Sequence, residues 1–249
     1  MSDDYETKPG VRIPSREDSL PKRFYEAVSV EQAEDGWRVL LDGRAIKTPA
    51  KQTVSLPSQA LTQLIADEWA AQGERIDAPN MPATRLCFVA LDRMAETREA
   101  TAAEIVKYAS TDLLCFRAPE PAELIAAQSA AWDPLLAWAK DELGIELIAS
   151  TGLLPVDQDA VALTVLHGRA RDLDPIRLTA LAHSTALCGS AVLGFALLEG
   201  RIDAEQAFAL STIDEHFQLS QWGEDAEALE RLARLKTEMV SVGKVLAAL

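Results

Sequence analysis

Cysteine is nearly absent from this 249-residue chain. Cys87, Cys115 and Cys188 are odd in number and none lies in a CxxC spacing, so no disulfide framework follows from them. Reduced thiols in a reducing compartment are expected. Histidine is as scarce: His167, His183 and His216 are scattered, with no HExxH, and give no zinc-ligand spacing. Neither GxGxxG nor GxxxxGK(S/T) occurs, which removes the turns that cradle phosphate. No cofactor and no metal are expected from these motifs. Positive charge is short too, with 39 Asp+Glu against 24 Lys+Arg and a net charge of −15. The deficit is uneven: residues 1–59 hold 9 basic and 10 acidic groups, and the rest hold 15 and 29. Such a field repels nucleic acid and anionic membrane surfaces and favours basic or neutral partners. The opening MSDDYETKPG lacks the basic-then-apolar layout of a secretory signal and is too acidic for a presequence. A soluble bacterial cytoplasmic protein is expected, or one of the mitochondrial matrix if the source is eukaryotic.

What is present is enough for a core, since 48% of the residues are hydrophobic. Residues 1–21 carry Pro9, Pro14 and Pro21 without any period and read as a tail or surface arm. Residues 24–30 are rich in β-formers, Glu34-Asp35-Gly36 is a turn, and Trp37, Val39 and Leu41 alternate with Arg38, Leu40 and Asp42. Asp42-Gly43 is a hairpin signal, because a type I′ turn needs positive φ at both central residues. A returning strand over 44–48 and a short strand over 53–56 complete a small antiparallel sheet. After Pro57 the period turns helical, with Ser58 as N-cap of a helix to about Gly73. The proline-rich stretch 76–82 is the candidate boundary. Helices are expected over 83–95, 97–110, 120–143, 158–171, 174–199, 203–222 and 224–247. Within 120–143, Pro134 should kink or start the helical run. The segments 113–116 and 146–148 are short extended pieces able to pair. The fold class is α+β: a small N-terminal antiparallel β-rich domain (22–80, after a 1–21 tail), then a larger all-α domain (81–249). Leu178 to Leu198 holds no charged residue, but interspersed Thr and Ser and the lack of flanking Lys or Arg clusters favour a buried central helix over a membrane span.

The segment 203–222 stands out. Read as one helix at 100° per residue, it places Leu210, Ile213 and Phe217 on one face. Phe208, Leu219 and Trp222 fall on the opposite face, with Glu215 between them. One core needs one apolar face, so a second stripe must be covered by another layer or by a partner. The remaining candidates are plainer. His183 and Cys188 are five residues apart and share no helix face, so they read as a buried polar side chain and an inert thiol. Arg44, Lys47 and Lys51 form a modest basic patch beside the hairpin. Trp69, Trp132, Trp138 and Trp222 are candidates for core or for binding surface.

Five segments, in this order, resemble those of the assembly factors that chaperone the α subunit of F1-ATPase. They are Lys22-Arg23-Phe24-Tyr25; Leu41-Asp42-Gly43-Arg44 running on to Lys47-Thr48-Pro49; Glu68-Trp69 with Pro79, Met81-Pro82 and Thr84; Tyr108 with Thr111-Asp112-Leu113-Leu114-Cys115; and Asp214-Glu215 with Gln218 and Trp222-Gly223. The resemblance spans about 22–225. It implies a β-rich domain followed by a helical one, no catalysis, and a client: new α subunit, held against aggregation until the β subunit joins. On this reading Glu215 contacts the client and Phe208, Leu219 and Trp222 supply apolar surface around it. Trp69 and Arg44 position the sheet against the helices or touch the client themselves. The partner is the F1 α subunit, with no nucleic acid or membrane, and the chain acts as a monomer. Two other classes stay open on the residues alone: an enzyme with an interdomain cleft near His183 and Cys188, and a generic acidic scaffold.

Overall fold

The computed structural model describes residues 19–152, 156–223 and 225–249. Most of the 1–21 tail therefore lies outside the described residues, as does Glu224. The described end of that tail is paired: Ile76 N–H donates to the Pro21 carbonyl at 2.8 Å, and Lys22 bridges Arg75.

The chain begins with an antiparallel meander, β1 (Val28–Ala33), β2 (Gly36–Leu41) and β3 (Arg44–Ala45), in that order. Val28 pairs with Leu41 and Ala33 with Gly36. The β2–β3 turn carries Asp42 at φ 46° and Gly43 at φ 77°, as the type I′ reading requires. Asp42 bears its positive φ because its carboxylate is anchored, accepting from the Ala27 N–H at 2.8 Å and the Glu26 N–H at 3.1 Å. The ladder starts at Val28 instead of Phe24. The returning strand is two residues long, continued only by single bridges, Lys47 to Thr53 and Trp37 to Leu56. Val39, Leu41, Ile46, Val54 and Leu56 are buried against α1 (Gln59–Ala70). Ser58 caps α1 as expected, accepting from the Leu61 N–H at 3.1 Å. Its hydroxyl also donates to the Ala248 carbonyl, tying the sheet end to the far C-terminus.

A single 29-residue helix, α2 (Pro82–Ser110), replaces the two helices expected over 83–110. Nothing between 95 and 97 removes an N–H or a helical φ, so the run continues. Next comes α3 (Ala122–Trp138), running into a π-helical turn (Ala139–Leu143) that Gly144 ends at φ 72°. Pro134 sits inside α3 and does not start it. Leu113–Cys115 is a 3-10 turn. The parallel pairing that does form joins β4 (Phe116–Arg117) to β5 (Ser150–Thr151), just past the expected pieces. After α4 (Ala160–Arg171), the expected 174–199 helix is two: α5 (Pro175–Cys188) and α6 (Ala191–Leu198). Gly189 takes φ 64° between them, and Ser190 caps the second through the Leu193 N–H. A Cβ on Gly194 would lie 2.4 Å from Thr185 Oγ1, so glycine is what lets α6 fold back onto α5. Ala191 through Leu197 are all buried, which is the central placement expected for this charge-free stretch. Among the described residues no helix is long and apolar enough to cross a membrane.

The 203–222 segment is also two helices, α7 (Ala204–Ser211) and α8 (Ile213–Trp222). Thr212 takes φ −120°, and the Ser211 and Thr212 hydroxyls both bond to the Phe208 carbonyl, at 3.0 and 2.7 Å. Those bonds compete with the helical N–H for the same acceptor. The last helix is α9 (Ala226–Ala247). Buried side chains form one continuous cluster from Tyr25 in the sheet region to Val245 on α9.

Candidate functional site

Position in the fold separates the motif residues into two sets. The first set is internal bracing. Arg23 lies 4.5 Å over the Tyr25 ring and donates to the carbonyls of Tyr25, Glu26 and Gln72. The Tyr25 hydroxyl donates to the Trp69 carbonyl at 2.8 Å, and the two rings meet edge-on at 5.7 Å. Glu68 reaches from α1 to the start of α2. Its carboxylate accepts from the N–H groups of Ala83 and Thr84, both at 2.8 Å, and from the Thr84 hydroxyl at 2.7 Å. Met81, at the capping position of α2, contributes no side-chain acceptor, so Glu68 caps this helix from another element.

Asp112 does the same task deeper in. It is fully buried and accepts from the Leu114 N–H and from the Val192 N–H, each at 3.1 Å. The Ser190 hydroxyl and Ala191 N–H also bond to it. One carboxylate thus holds the corner after α2 to the N-terminus of α6, where the helix dipole favours negative charge. Burial pushes its pKa up to about 6, against the pull of those donors. Burial also raises all three thiols, Cys87, Cys115 and Cys188, to about 12. None is a thiolate at neutral pH.

The second set lies on α8, which has no buried residue. Trp222 is 81% exposed, against a typical buried core tryptophan such as Trp132. Leu219 and Phe217 are half-buried. The Glu215 side chain is 36% exposed, and its partner is Arg231 of α9, 53% exposed, at 3.5 Å. Asp214 is held from below: buried Gln128 of α3 donates to it at 2.7 Å while accepting the Ala118 N–H at 2.8 Å. The Trp132 indole donates to the Leu210 carbonyl at 2.9 Å, fixing the end of α7.

The break at Thr212 corrects the expected four-residue stripe. Glu215, Leu219 and Trp222 share α8, whereas Phe208 belongs to α7. Its ring is half-buried, packed on the core and edge-on to His216 at 6.0 Å. Trp69 and Arg44 do come together, lining one cavity of about 590 Å³ with Phe24, Tyr25, Ile46 and Lys47. His183 and Cys188 do not. His183 Nε2 sits 3.3 Å from Glu238 of α9, beside an apolar cleft of about 430 Å³ between α2, α5 and α9. Cys188 is buried with Ser211 against its thiol. No three His, Cys, Asp or Glu among the described residues are grouped to hold a metal. Arg231 and Gln128 had no sequence signal as partners of α8, since one lies on the next helix and the other 86 residues before Asp214.

A family model described as ATP12 chaperone protein matches residues 22–140. The mitochondrial protein atp12 of Schizosaccharomyces pombe is 26% identical over 234 residues, covering 88% of this chain and 80% of its own length. Among solved structures, Atp12 from Paracoccus denitrificans is similar at 43% identity and a TM-score of 0.86, with 92% of this chain and 98% of that one covered. The Atu1473 protein from Agrobacterium tumefaciens is similar at 42% identity and the same TM-score, covering 92% and 86%.

Proposed function

The chain belongs to the ATP12 chaperone family, and we propose from that premise that it is an assembly factor for ATP synthase. It binds the unassembled α subunit of F1-ATPase and prevents its aggregation until the β subunit joins. The observation that carries this reading is α8: a helix with no buried residue, ending in an 81% exposed tryptophan and bearing a carboxylate whose partner is a half-exposed arginine. Exposed apolar surface next to weakly held charge suits a client that must be gripped and then yielded to its neighbour subunit. Apolar area supplies affinity, and charge supplies selectivity and on-rate.

In this proposal Glu215, Leu219 and Trp222 contact the client directly, with Phe208 supporting α8 from α7. Trp69 and Arg44 act at the sheet end. The chain works as a monomer without catalysis, in the bacterial cytoplasm or the mitochondrial matrix. It divides functionally into the β-rich part (22–80) and the helical part (81–249). The enzyme reading loses support because the thiol at Cys188 is buried and raised to about 12, and His183 faces Glu238 instead.

The test is co-expression with the F1 α subunit alone, scoring soluble α and a co-purifying complex. Wild type is expected to keep α soluble. Glu215→Lys is expected to lose the complex at least tenfold while unfolding within about 1 kcal/mol of wild type, the range of exposed ion pairs. An unfolded Glu215→Lys would move Glu215 to a structural role, and α that aggregates regardless of wild type would overturn the function.

A further inference from the structure

The cavity walled by Tyr25, Trp69 and β3 has a chemistry opposite to that of the rest of the molecule. Beyond residue 59 the chain carries 29 acidic against 15 basic groups. At this cavity the balance is reversed. Arg44 and Lys47 are exposed on its wall, and neither side chain forms an ion pair with a described residue. Behind the wall, Arg23 lies over the Tyr25 ring and meets carbonyls instead of carboxylates. Asp42 is the one carboxylate on the wall, and its oxygens are committed to the Glu26 and Ala27 N–H groups. The remaining wall is apolar or aromatic. Phe24 is 73% exposed at the rim. The Trp69 ring is part of that wall.

Exposed cations with no ion-pair partner among the described residues, an aromatic wall and about 590 Å³ of space describe a receptor for a carboxylate beside an apolar side chain. We infer that this cavity docks an acidic, apolar-flanked segment of the client polypeptide, separate from the α8 contact. The inference rests on the chaperone reading for the identity of the client only. Charge decides the occupant. An acidic segment is repelled by the helical region and admitted here, so the two ends of the molecule select client segments of opposite charge. That would fix the orientation of the client as well as its affinity.

The probe is a fluorescein-labelled decapeptide alternating Glu and Phe, with a Lys/Phe decapeptide as control, titrated by anisotropy into the full chain at low salt. Wild type is expected to bind the acidic peptide and lose it as salt rises. Arg44→Glu with Lys47→Glu should weaken it at least tenfold and bind the Lys peptide instead. Both positions are exposed, and the Ala/Ala pair serves as a second variant with a smaller loss. Lys140→Glu, a reversal of the same sign at an exposed position outside the cavity and α8, should bind the acidic peptide as wild type does. Acidic-peptide binding that is absent in wild type, or unchanged by the charge reversal, overturns the site. Capture of the α subunit is scored beside it with wild type. Acidic-peptide binding without α capture leaves the site and removes the chaperone reading; α capture without peptide binding does the reverse.

Discussion

The two ends of α2 and the helix α8 both present motif carboxylates, and they use them in opposite ways. Glu68 and Asp112 are surrounded by donors: three bonds of 2.7–2.8 Å on the first, and four groups facing the second. Glu68 caps a helix whose own capping residue offers no acceptor, and Asp112 adds an acceptor to a helix that Ser190 already caps, across 15 and 80 residues of sequence. Glu215 has one partner, at 3.5 Å and half in solvent. An acidic residue in a motif is therefore no guide to function until its donors are counted. Satisfied carboxylates hold helices together, and the under-satisfied one is free to meet something else.

The contrast breaks first at Asp112. Asp112→Ala would leave the buried N–H groups of Leu114 and Val192 without acceptors, and should cost about 3–4 kcal/mol in urea unfolding at pH 7. Asp112→Asn keeps one oxygen and should lose less. It should also change the pH profile. With its folded pKa about 6, above the ordinary value near 3.9, Asp112 holds a proton in the native state that the unfolded chain has released. The native state binds more protons in that window, so this group's contribution is fully present below about pH 4 and is lost as pH rises to about 6. The stability gap between wild type and Asp112→Asn should accordingly narrow across pH 4–6, by roughly 2 kcal/mol. A gap independent of pH would mean that Asp112 is ionised throughout and that its donors outweigh burial.

Glu68→Ala is the next step down. It removes the cap of α2 from a half-buried site that water can partly reach, and should cost about 2–3 kcal/mol. Loss below about 0.5 kcal/mol would show that Thr84 and solvent replace it, and would erase the distinction drawn between bracing and surface carboxylates.

These braces explain what was legible in the sequence. Local chemistry was: the Asp42-Gly43 turn needs positive φ, and the Ser58 cap needs an oxygen within three residues. The strand–helix order followed from such signals and from the hydrophobic period. Interruptions were not legible, because the apolar period runs on through Gly189 and Thr212. What breaks the helices there is a left-handed φ and two hydroxyls competing for one carbonyl. Drawing 203–222 as a single wheel put Phe208 on the same stripe as Trp222, and the break removes that alignment. Long-range partners were equally hidden. Glu68 reads as an ordinary helix residue until Ala83 and Thr84 fold beneath it, and Asp112 until α6 arrives. At the candidate site, the composition of α8 was readable and its exposure was not, since exposure depends on where α3 and α9 pass.

The smallest expected stability effect is the one that tests the other side of the contrast. Trp222 makes no hydrogen bond or ring contact through its side chain among the described residues, and 81% of it faces solvent. Removing it withdraws little buried area, so Trp222→Ala should change the unfolding free energy by less than about 0.5 kcal/mol. Its cost should appear in co-purification with the α subunit, reduced at least tenfold if Trp222 is an anchor, since buried tryptophans at interfaces are worth about 2 kcal/mol or more. A loss of stability above 1 kcal/mol would instead mean that the tryptophan holds the α8–α9 turn. In that case α8 would join Glu68 and Asp112 as bracing, and the client surface would have to be sought at the sheet end, where Arg44 and Lys47 are exposed with no ion-pair partner among the described residues.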